Sequence, residues 1–277
     1  MTVAVAAAPL FSIITITLNS ADNAERTARS VLAQTGASFE YLVKDGESHD
    51  DTVVRLGALG VERVVVRADA GIYDAMNQAI ALCRGRYVCF MNAGDCFAAP
   101  DVLANVARAI TRGGEPDFLY GDIRSLVRHP HISAEAQQGG RVIRYPQRLG
   151  RFWLYRKMIC HQAWFVRREL YAARPYDTGF RILADYVYLL ELILKRRVRY
   201  AHVPEIVAIF DGGGLSTKHT AQLLAERQRA LVTAFAPGER WLYRMAFERM
   251  RWLNRSFVYK WIYPLLPARL RARVGGL

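Results

Sequence analysis

The segment Asn92-Ala93-Gly94-Asp95 holds the residues best suited to chemistry in this 277-residue sequence. It follows the apolar stretch Arg86–Met91, where a buried strand is expected to end. The carboxylate of Asp95 offers the oxygen ligands that hard cations such as Mg²⁺ and Mn²⁺ prefer. Gly94 leaves space beside that carboxylate for an approaching ligand. The segment therefore predicts a cation site with Asp95 as the protein ligand.

Three more polar residues follow predicted strands in the same way: Asn19, Asp45 and Asp69. In open α/β sheets ligands bind beyond the carboxyl ends of the strands, so these residues are expected on one rim. A turn alone explains any single Asp or Asn at such a position as readily. The set of four, with Asp95 included, favours a shared site.

Strands and helices alternate through the first half of the chain. This alternation predicts a Rossmann-like α/β fold with a mostly parallel central sheet and helices on both faces. Asp22 followed three residues later by Glu25 predicts a capping box at the start of the first helix. We predict strands over Phe11–Leu18, Phe39–Lys44, Val61–Arg67 and Arg86–Met91, and helices over 22–34, 52–59, 73–83 and 101–111.

The second half is less regular. The Asp211-Gly212-Gly213-Gly214 run either brings backbone amides close to a phosphate or forms a plain turn. Lys218 and His219 after it fit either a phosphate contact or a solvated loop. We predict strands over Phe118–Arg124, Gln162–Arg167 and within Arg199–Phe210, a helix over Leu183–Arg197, and a polar loop over His129–Gln147.

Five segments stand in an order that is typical of one protein family. They are Ser12–Asn19, Ser30–Thr35, Val43–Thr52, Asp69–Ile80 and Gly85–Asp95. Together they resemble the family 2 glycosyltransferases, which have a GT-A fold. Shorter matches at His161-Gln162, Ala184-Asp185-Tyr186 and Gly212-Gly213 resemble the second half of a bacterial subset that builds cell-surface polysaccharides.

The resemblance implies an inverting transferase that moves a sugar from a nucleotide-diphosphate donor, with a UDP-sugar favoured, to a hydroxyl group of a glycan or lipid-linked glycan. It implies Mg²⁺ or Mn²⁺ on Asp95, in a motif where many relatives carry two acidic residues. The implied donor-binding residues are Thr17 and Asn19 in the nucleotide pocket, Asp45 at the base or ribose, Asp69, Asp74 and Asn77 at the ribose and diphosphate, and Asn92 and Gly94 beside the metal.

The resemblance also divides the chain. Residues 1–115 are expected to form the nucleotide-sugar-binding half of a domain, and residues 116–220 the half that holds the acceptor and the catalytic base. Residues 221–277 are expected to form a C-terminal, amphipathic, basic helical region.

Asp185 is implied as the catalytic base, which takes the proton of the acceptor hydroxyl as its oxygen attacks the anomeric carbon. It opens the predicted helix over Leu183–Arg197, where the helix dipole favours a negative charge, so a helix-capping role is the alternative. His161 and Gln162 are implied at the acceptor. A hydrogen-bonded core histidine is the alternative for His161.

The formal net charge of +13 predicts an anionic partner: nucleic acid, anionic lipid or a phosphorylated substrate. Much of the excess lies after residue 239, where nine Lys and Arg accompany one acidic residue, Glu248. On a helix, an arginine stripe would flank an apolar face suited to a membrane surface. The alternative is a helix packed on the domain. The stripe is Arg240, Arg244, Arg251 and Arg255, and the face is Tyr243, Phe247, Met250, Phe257 and Trp261.

These features predict a cytoplasmic protein, peripheral on the inner face of the cytoplasmic membrane through residues 240–273. The four cysteines form no Cys-x-x-Cys pair, so we expect reduced thiols and no zinc site. A non-catalytic nucleic-acid- or membrane-binding protein on a transferase-like fold is the alternative, but we find no RNP, zinc-finger or helix-turn-helix pattern. A nicotinamide enzyme is disfavoured because no Gly-x-Gly-x-x-Gly follows the first strand.

Overall fold

The computed structural model describes residues 8–127, 139–212 and 221–255, with side chains up to residue 250. Parts of several predictions lie outside these residues. They are most of the loop over 129–147, Gly213 and Gly214, Lys218 and His219, and the tail residues Phe257 and Trp261.

Nine strands and nine α-helices make up the described part of the chain. The strands are β1 Phe11–Thr17, β2 Phe39–Asp45, β3 Val64–Val66, β4 Tyr87–Phe90, β5 Cys96–Phe97, β6 Phe118–Ser125, β7 Arg141–Ile143, β8 Trp164–Arg167 and β9 Tyr200–Phe210. The helices are α1 Ala21–Leu32, α2 Thr52–Ala58, α3 Ile72–Ile80, α4 Val102–Arg112, α5 Arg151–Arg156, α6 Arg168–Ala173, α7 Ala184–Leu190, α8 Ala221–Ala234 and α9 Pro237–Arg255. A 3-10 turn over His161–Ala163 precedes β8.

The described strands form one sheet in the order β3-β2-β1-β4-β8-β6-β9-β5, with β7 paired to β6. Strands β1 to β4 are parallel, and a helix joins each to the next. Strand β8 is antiparallel to both β4 and β6 and so connects the two halves of the sheet. The predicted α/β fold is confirmed, and every predicted strand is present with its ends moved by a few residues.

The register of β1 decides which residues meet at the carboxyl edge of the sheet. Thr17, the last residue of β1, pairs with Asp45, the last residue of β2. On the other side of β1, the chain beyond β4 continues the ladder, because the amide of Ala93 donates to the carbonyl of Ile16 at 3.2 Å. The loop that contains the predicted cation ligand therefore runs beside the end of β1.

The predicted capping box of the first helix is wrong. Helix α1 starts with Ser20 at its cap position, and no side chain caps it. Asp22 lies in the first turn and pairs with Arg55 at 2.6 Å, and Glu25 pairs with Arg29 at 2.7 Å. Both carboxylates are bound to arginine side chains, so neither closes onto the backbone amides.

The predicted helix over Leu183–Arg197 ends early. Helix α7 stops at residue 190, and a π-helical turn over Glu191–Lys195 follows it. Helix α7 rests on a buried group of tyrosine rings, in which Tyr171 and Tyr188 stack with ring centres 4.8 Å apart. The stacked pair packs α7, whose first turn contains Asp185, against α6.

The chain divides into two compact units, Met1–Arg227 and Gln228–Leu277. The boundary falls inside α8, and the second unit contains α9 with a T-shaped contact between Phe235 and Tyr243. None of the helices in the described part of the chain combines the length and the apolar character that crossing a membrane requires. The predicted three-part division of the sequence stays a prediction.

Candidate functional site

A cavity of about 390 Å³ opens at the carboxyl edge of the sheet, beyond the ends of β1 and β4. Its size is in the range of small-ligand pockets. Six of the predicted site residues line it, namely Thr17, Asn92, Asp95, His161, Gln162 and Asp185, and so do Asp211 and Gly212 of the glycine run. They come from both halves of the chain, so the fold assembles this cavity across positions far apart in sequence.

Asp95 is a buried carboxylate with two protein donors. The side-chain amide of Gln162 donates to Oδ2 at 2.7 Å, and the backbone amide of Asp211 donates to Oδ1 at 3.1 Å. Burial raises the pKa of Asp95, although both hydrogen bonds act in the opposite direction. A bound cation would therefore offset the cost of placing a negative charge here.

Thr27 of α1 holds the loop that presents Asp95. Its fully buried hydroxyl donates to the carbonyl of Asp95 at 2.7 Å and accepts from the amide of Gly94 at 3.0 Å. Thr27 is not among the predicted site residues, and its signal in the sequence is a hydroxyl on the otherwise apolar inner face of an amphipathic helix. Gly94 has φ +106°, a conformation that requires glycine. A Cβ there would meet only ordinary contacts, so backbone conformation explains this glycine.

Asp185 lies in the first turn of α7, and Leu183 occupies the cap position. Its Oδ1 accepts from the phenol of Tyr73 at 2.9 Å and from the amide of Tyr186 at 2.8 Å. Its Oδ2 lies 3.0 Å from Nδ1 of His161. Three of roughly four acceptor positions on the carboxylate are thus filled, and one is open.

His161 connects Asp185 with Asn92. Its Nδ1 lies 3.0 Å from Oδ2 of Asp185, and its Nε2 lies 3.0 Å from Nδ2 of Asn92. An ionised Asp185 can only accept, so Nδ1 carries the proton and Nε2 accepts from the amide. Burial, with the nearby charge of Asp185, raises the pKa of Tyr73, which therefore stays a donor to the carboxylate.

Three buried side-chain oxygens in this cavity have no hydrogen-bond partner in the described part of the chain. They are Oγ1 of Thr17, Oδ1 of Asn92 and Oε1 of Gln162. Buried polar atoms in native proteins are nearly always paired, so atoms left free in one cavity indicate a ligand site.

The other predicted donor residues lie outside the cavity lining. Asp45 closes a turn, because Ser48 donates to it with both its amide and its hydroxyl. Asn19 accepts from the amide of His49 at 2.8 Å. Asp69 forms a 2.8 Å ion pair with Lys44, whose side chain is fully buried. Asp45 and Asn19 thus hold the loop after β2, and Asp69 ties the loop after β3 to strand β2.

Asp74 and Asn77 of α3 face other parts of the molecule. Asp74 accepts from the amide of Ala70 and lines a neighbouring cavity of about 270 Å³. That cavity shares Ile72, Tyr73 and Arg181 with the first. The side chain of Asn77 both donates to and accepts from the backbone of Tyr176, at 2.9 Å each. Asn77 thus ties α3 to the segment that precedes α7.

The donor set around Asp95 fits a hard divalent cation. Carboxylate, amide and hydroxyl oxygens surround the position, and cations such as Mg²⁺ also keep water or phosphate ligands. Among the residues that the structure describes, no group of three or more His, Cys, Asp and Glu side chains is arranged to hold a metal. The protein would thus supply few charged ligands.

Comparison with known proteins gives a consistent result. The family model described as Glycosyl transferase family 2 matches residues 12–173. A PGL/p-HBAD biosynthesis glycosyltransferase of Mycobacterium bovis (strain BCG / Pasteur 1173P2) is 36% identical over 220 residues, which cover 76% of this chain and 80% of the relative.

Solved structures support the same architecture. S. aureus TarS 1-349 in complex with UDP-GlcNAc has a TM-score of 0.61 and 14% identity, over 96% of this chain and 79% of that one. Glucosyl-3-phosphoglycerate synthase from Mycobacterium tuberculosis, in complex with Mg²⁺ and uridine-diphosphate, has a TM-score of 0.54 and 19% identity over 80% of each chain. At these identities the two structures establish the fold.

Proposed function

Because the chain belongs to glycosyl transferase family 2 and has the GT-A fold, we propose that it moves a sugar from a UDP-sugar to a hydroxyl group of a glycan or lipid-linked glycan in cell-surface polysaccharide synthesis. One observation carries the proposal. The consecutive residues His161 and Gln162 each bind one buried carboxylate of the same cavity, His161 that of Asp185 and Gln162 that of Asp95. The cavity thus contains two carboxylates, and one short turn contacts both of them.

The Asp95 end is the donor end. The unpaired oxygens of Thr17 and Asn92 lie there as acceptors for the hydroxyl and amide groups of a nucleotide-sugar. The TarS complex with UDP-GlcNAc and the synthase complex with uridine-diphosphate support a uridine donor by analogy of fold. Asn19 and Asp45 act on the donor through the loop after β2, and Asp69 acts through the loop after β3.

Mg²⁺ or Mn²⁺ is the proposed cofactor, held by Asp95, and the Mg²⁺ complex of the synthase supports it. When bound, such an ion neutralises the charge that develops on a departing diphosphate. Gly94 lets the loop adopt the conformation that presents Asp95.

Asp185 is the proposed general base. The acceptor O–H bond breaks as its proton passes to the open position on the Asp185 carboxylate. The acceptor oxygen forms a bond to the anomeric carbon, and the bond from that carbon to the diphosphate oxygen breaks. Displacement in one step inverts the anomeric configuration. Tyr73 and His161 orient the carboxylate, because each holds one of its oxygens.

A thermal-shift panel of nucleotide-sugars, with and without Mn²⁺, tests the donor assignment. A ligand at a hundred times its Kd stabilises the folded state by about 2.7 kcal/mol. For a chain of this size each kcal/mol raises Tm by roughly 2–4 °C. We expect one UDP-sugar to raise Tm by about 5–10 °C and to release UDP when an acceptor is added. A panel in which no nucleotide-sugar raises Tm would contradict the proposal.

Helix α9 supports a location on the inner face of the cytoplasmic membrane. Trp241, Leu242 and Met245 are more than half exposed, close to Arg240 and Arg244. Apolar side chains beside cations suit an anionic lipid surface. The exposed apolar residues differ from the face predicted from sequence, since Tyr243, Phe247 and Met250 are half-buried.

Sedimentation with phosphatidylglycerol vesicles tests this location. The full-length protein should bind these vesicles at low salt and dissociate from them at high salt. The change Trp241→Ser with Leu242→Ser should weaken binding, whereas Val54→Ser, at an equally exposed apolar residue of α2, should leave it unchanged. Equal vesicle binding by all three proteins would refute the role of α9.

A further inference from the structure

The antiparallel pairing of β5 and β9 brings a second carboxylate to Asp95. Cys96 pairs with Ile209 in this ladder. Continued by two residues, the same register places Asp211 opposite Gly94. The contacts agree, because the amide of Asp211 donates to Oδ1 of Asp95 and a Cβ on Gly94 would lie 3.8 Å from the Cβ of Asp211. Asp211 therefore extends the acidic loop from a distant part of the sequence.

We propose that Asp95 and Asp211 together hold the divalent cation of the donor site, and that Asp211 exchanges its ion pair with Arg26 for that cation. The inference rests on the proposed function, which assigns only Asp95 to the metal. Asp211 is then a second protein ligand, and Arg26 is the internal cation that balances its charge in the absence of metal.

The surroundings of the two carboxylates point to a cation independently. Oγ1 of Thr17 and Oε1 of Gln162 are unpaired in the described part of the chain, and both side chains are only 4% exposed. Both residues line the cavity together with Asp95 and Asp211. Unpaired acceptor oxygens beside two carboxylates are the kind of ligand that Mg²⁺ and Mn²⁺ prefer.

Arg26 explains how two neighbouring negative charges coexist without a metal. Its guanidinium lies 3.1 Å from Oδ1 of Asp211 and donates to the carbonyl of Gly94 at 2.7 Å. The side chain of Arg26 is about half exposed, so it can move into water at little cost. A divalent cation between the carboxylates carries twice the charge of the guanidinium and has no side-chain entropy to lose, and both differences act in favour of the exchange.

Mn²⁺ binding to the full-length protein tests the inference without any activity measurement. The electron paramagnetic resonance signal of free Mn²⁺ reports the bound fraction, with and without UDP. Asp211→Asn should weaken Mn²⁺ binding by about tenfold or more, because loss of even an outer partner of a metal ligand costs about 10- to 100-fold in affinity. Arg26→Gln should strengthen it several-fold, because Asp211 then lacks its internal counterion. Asp22→Asn, the same charge change on the surface, should have no effect.

Opposite effects of the two variants protect the test against a folding defect, since a misfolded protein cannot bind Mn²⁺ more tightly. Wild-type affinity in Asp211→Asn, together with loss in Asp95→Asn, would overturn the role of Asp211. If the wild type binds UDP but no Mn²⁺, the cation site is refuted while the donor assignment stands. If it binds neither, the proposed function fails as well.

Discussion

Replacement of Asp185 by Asn removes the proposed base and keeps the shape of the side chain. The new amide oxygen still accepts from Tyr73 and from the helix amide. Its NH₂ group then faces Nδ1 of His161, which carries a proton in the wild type. The imidazole must move this proton to Nε2, and Asn92 must turn its unpaired Oδ1 to accept it. The network can thus adapt without a buried clash.

The expected effect on transfer is large and the effect on stability is small. A general base contributes about 10²- to 10⁴-fold to rate, which is roughly 3–5 kcal/mol of barrier. A hydrogen bond to a charged acceptor is worth about 1 kcal/mol more than a neutral one, and Asp185 accepts three. Removal of a buried charge offsets part of that loss. Tm should therefore fall by only about 5 °C.

UDP release in the presence of acceptor measures the transfer rate, and a thermal melt of the same sample measures stability. Asp22→Asn serves as the control, because it removes a carboxylate at the exposed start of α1. Transfer by Asp185→Asn within about tenfold of wild type would refute the assignment of Asp185 as base.

Two further substitutions test the scaffold of the site. Glu226 accepts three hydrogen bonds from the backbone amides of residues 181–183 in the cavity wall. Burial acts to raise the pKa of Glu226. The hydrogen bonds outweigh burial and hold that pKa below its usual value. Glu226→Gln should cost roughly 1–3 kcal/mol at pH 7. Because the pKa of Glu226 is lowered in the folded state, the stability difference between wild type and Glu226→Gln is present above about pH 4.5. It should vanish as pH falls through the lowered pKa. Urea unfolding measures this difference, and an equal difference in free energy of unfolding at pH 7 and pH 3 would contradict the role of Glu226. Thr27→Val leaves the Asp95 carbonyl without its side-chain donor and leaves the Gly94 amide with only its 3.3 Å hydrogen bond to the carbonyl of Asn23, so we expect a loss of roughly 1–3 kcal/mol. An unchanged Tm would refute this role of the threonine.

The sequence was sufficient to predict the parallel half of the sheet and the edge of that sheet where the candidate residues lie. The alternation of apolar strands with amphipathic helices predicts β1 to β4. The local sequence also predicts that Asp95 lies just past the end of β4. His161 and Asp185 were predicted with separate roles, and the structure joins them through a hydrogen bond. That hydrogen bond depends on how β8 and α7 pack, and the packing cannot be predicted from the local sequence pattern.

Other parts of the site required three-dimensional information. Asp211 reaches Asp95 only through the antiparallel pairing of β5 with β9, and β5 is a two-residue strand with no detectable period. Asp45 is the last residue of β2 and Asn19 lies two residues past β1, yet the loop after β2 folds back and hydrogen-bonds to both side chains. Whether such a residue binds ligand or closes a turn is decided by loop geometry rather than by its position in the sequence.

Equilibrium titration of UDP into wild type, Asp95→Asn and Asp185→Asn, with and without Mn²⁺, tests the central claim most directly. If the donor binds at Asp95 and Asp185 is the base, the two substitutions should have different effects. Asp95→Asn should lose the Mn²⁺-dependent part of UDP affinity, and Asp185→Asn should keep it while losing transfer. Equal loss of UDP affinity in both variants, or Mn²⁺-dependent binding that survives Asp95→Asn, would contradict the account.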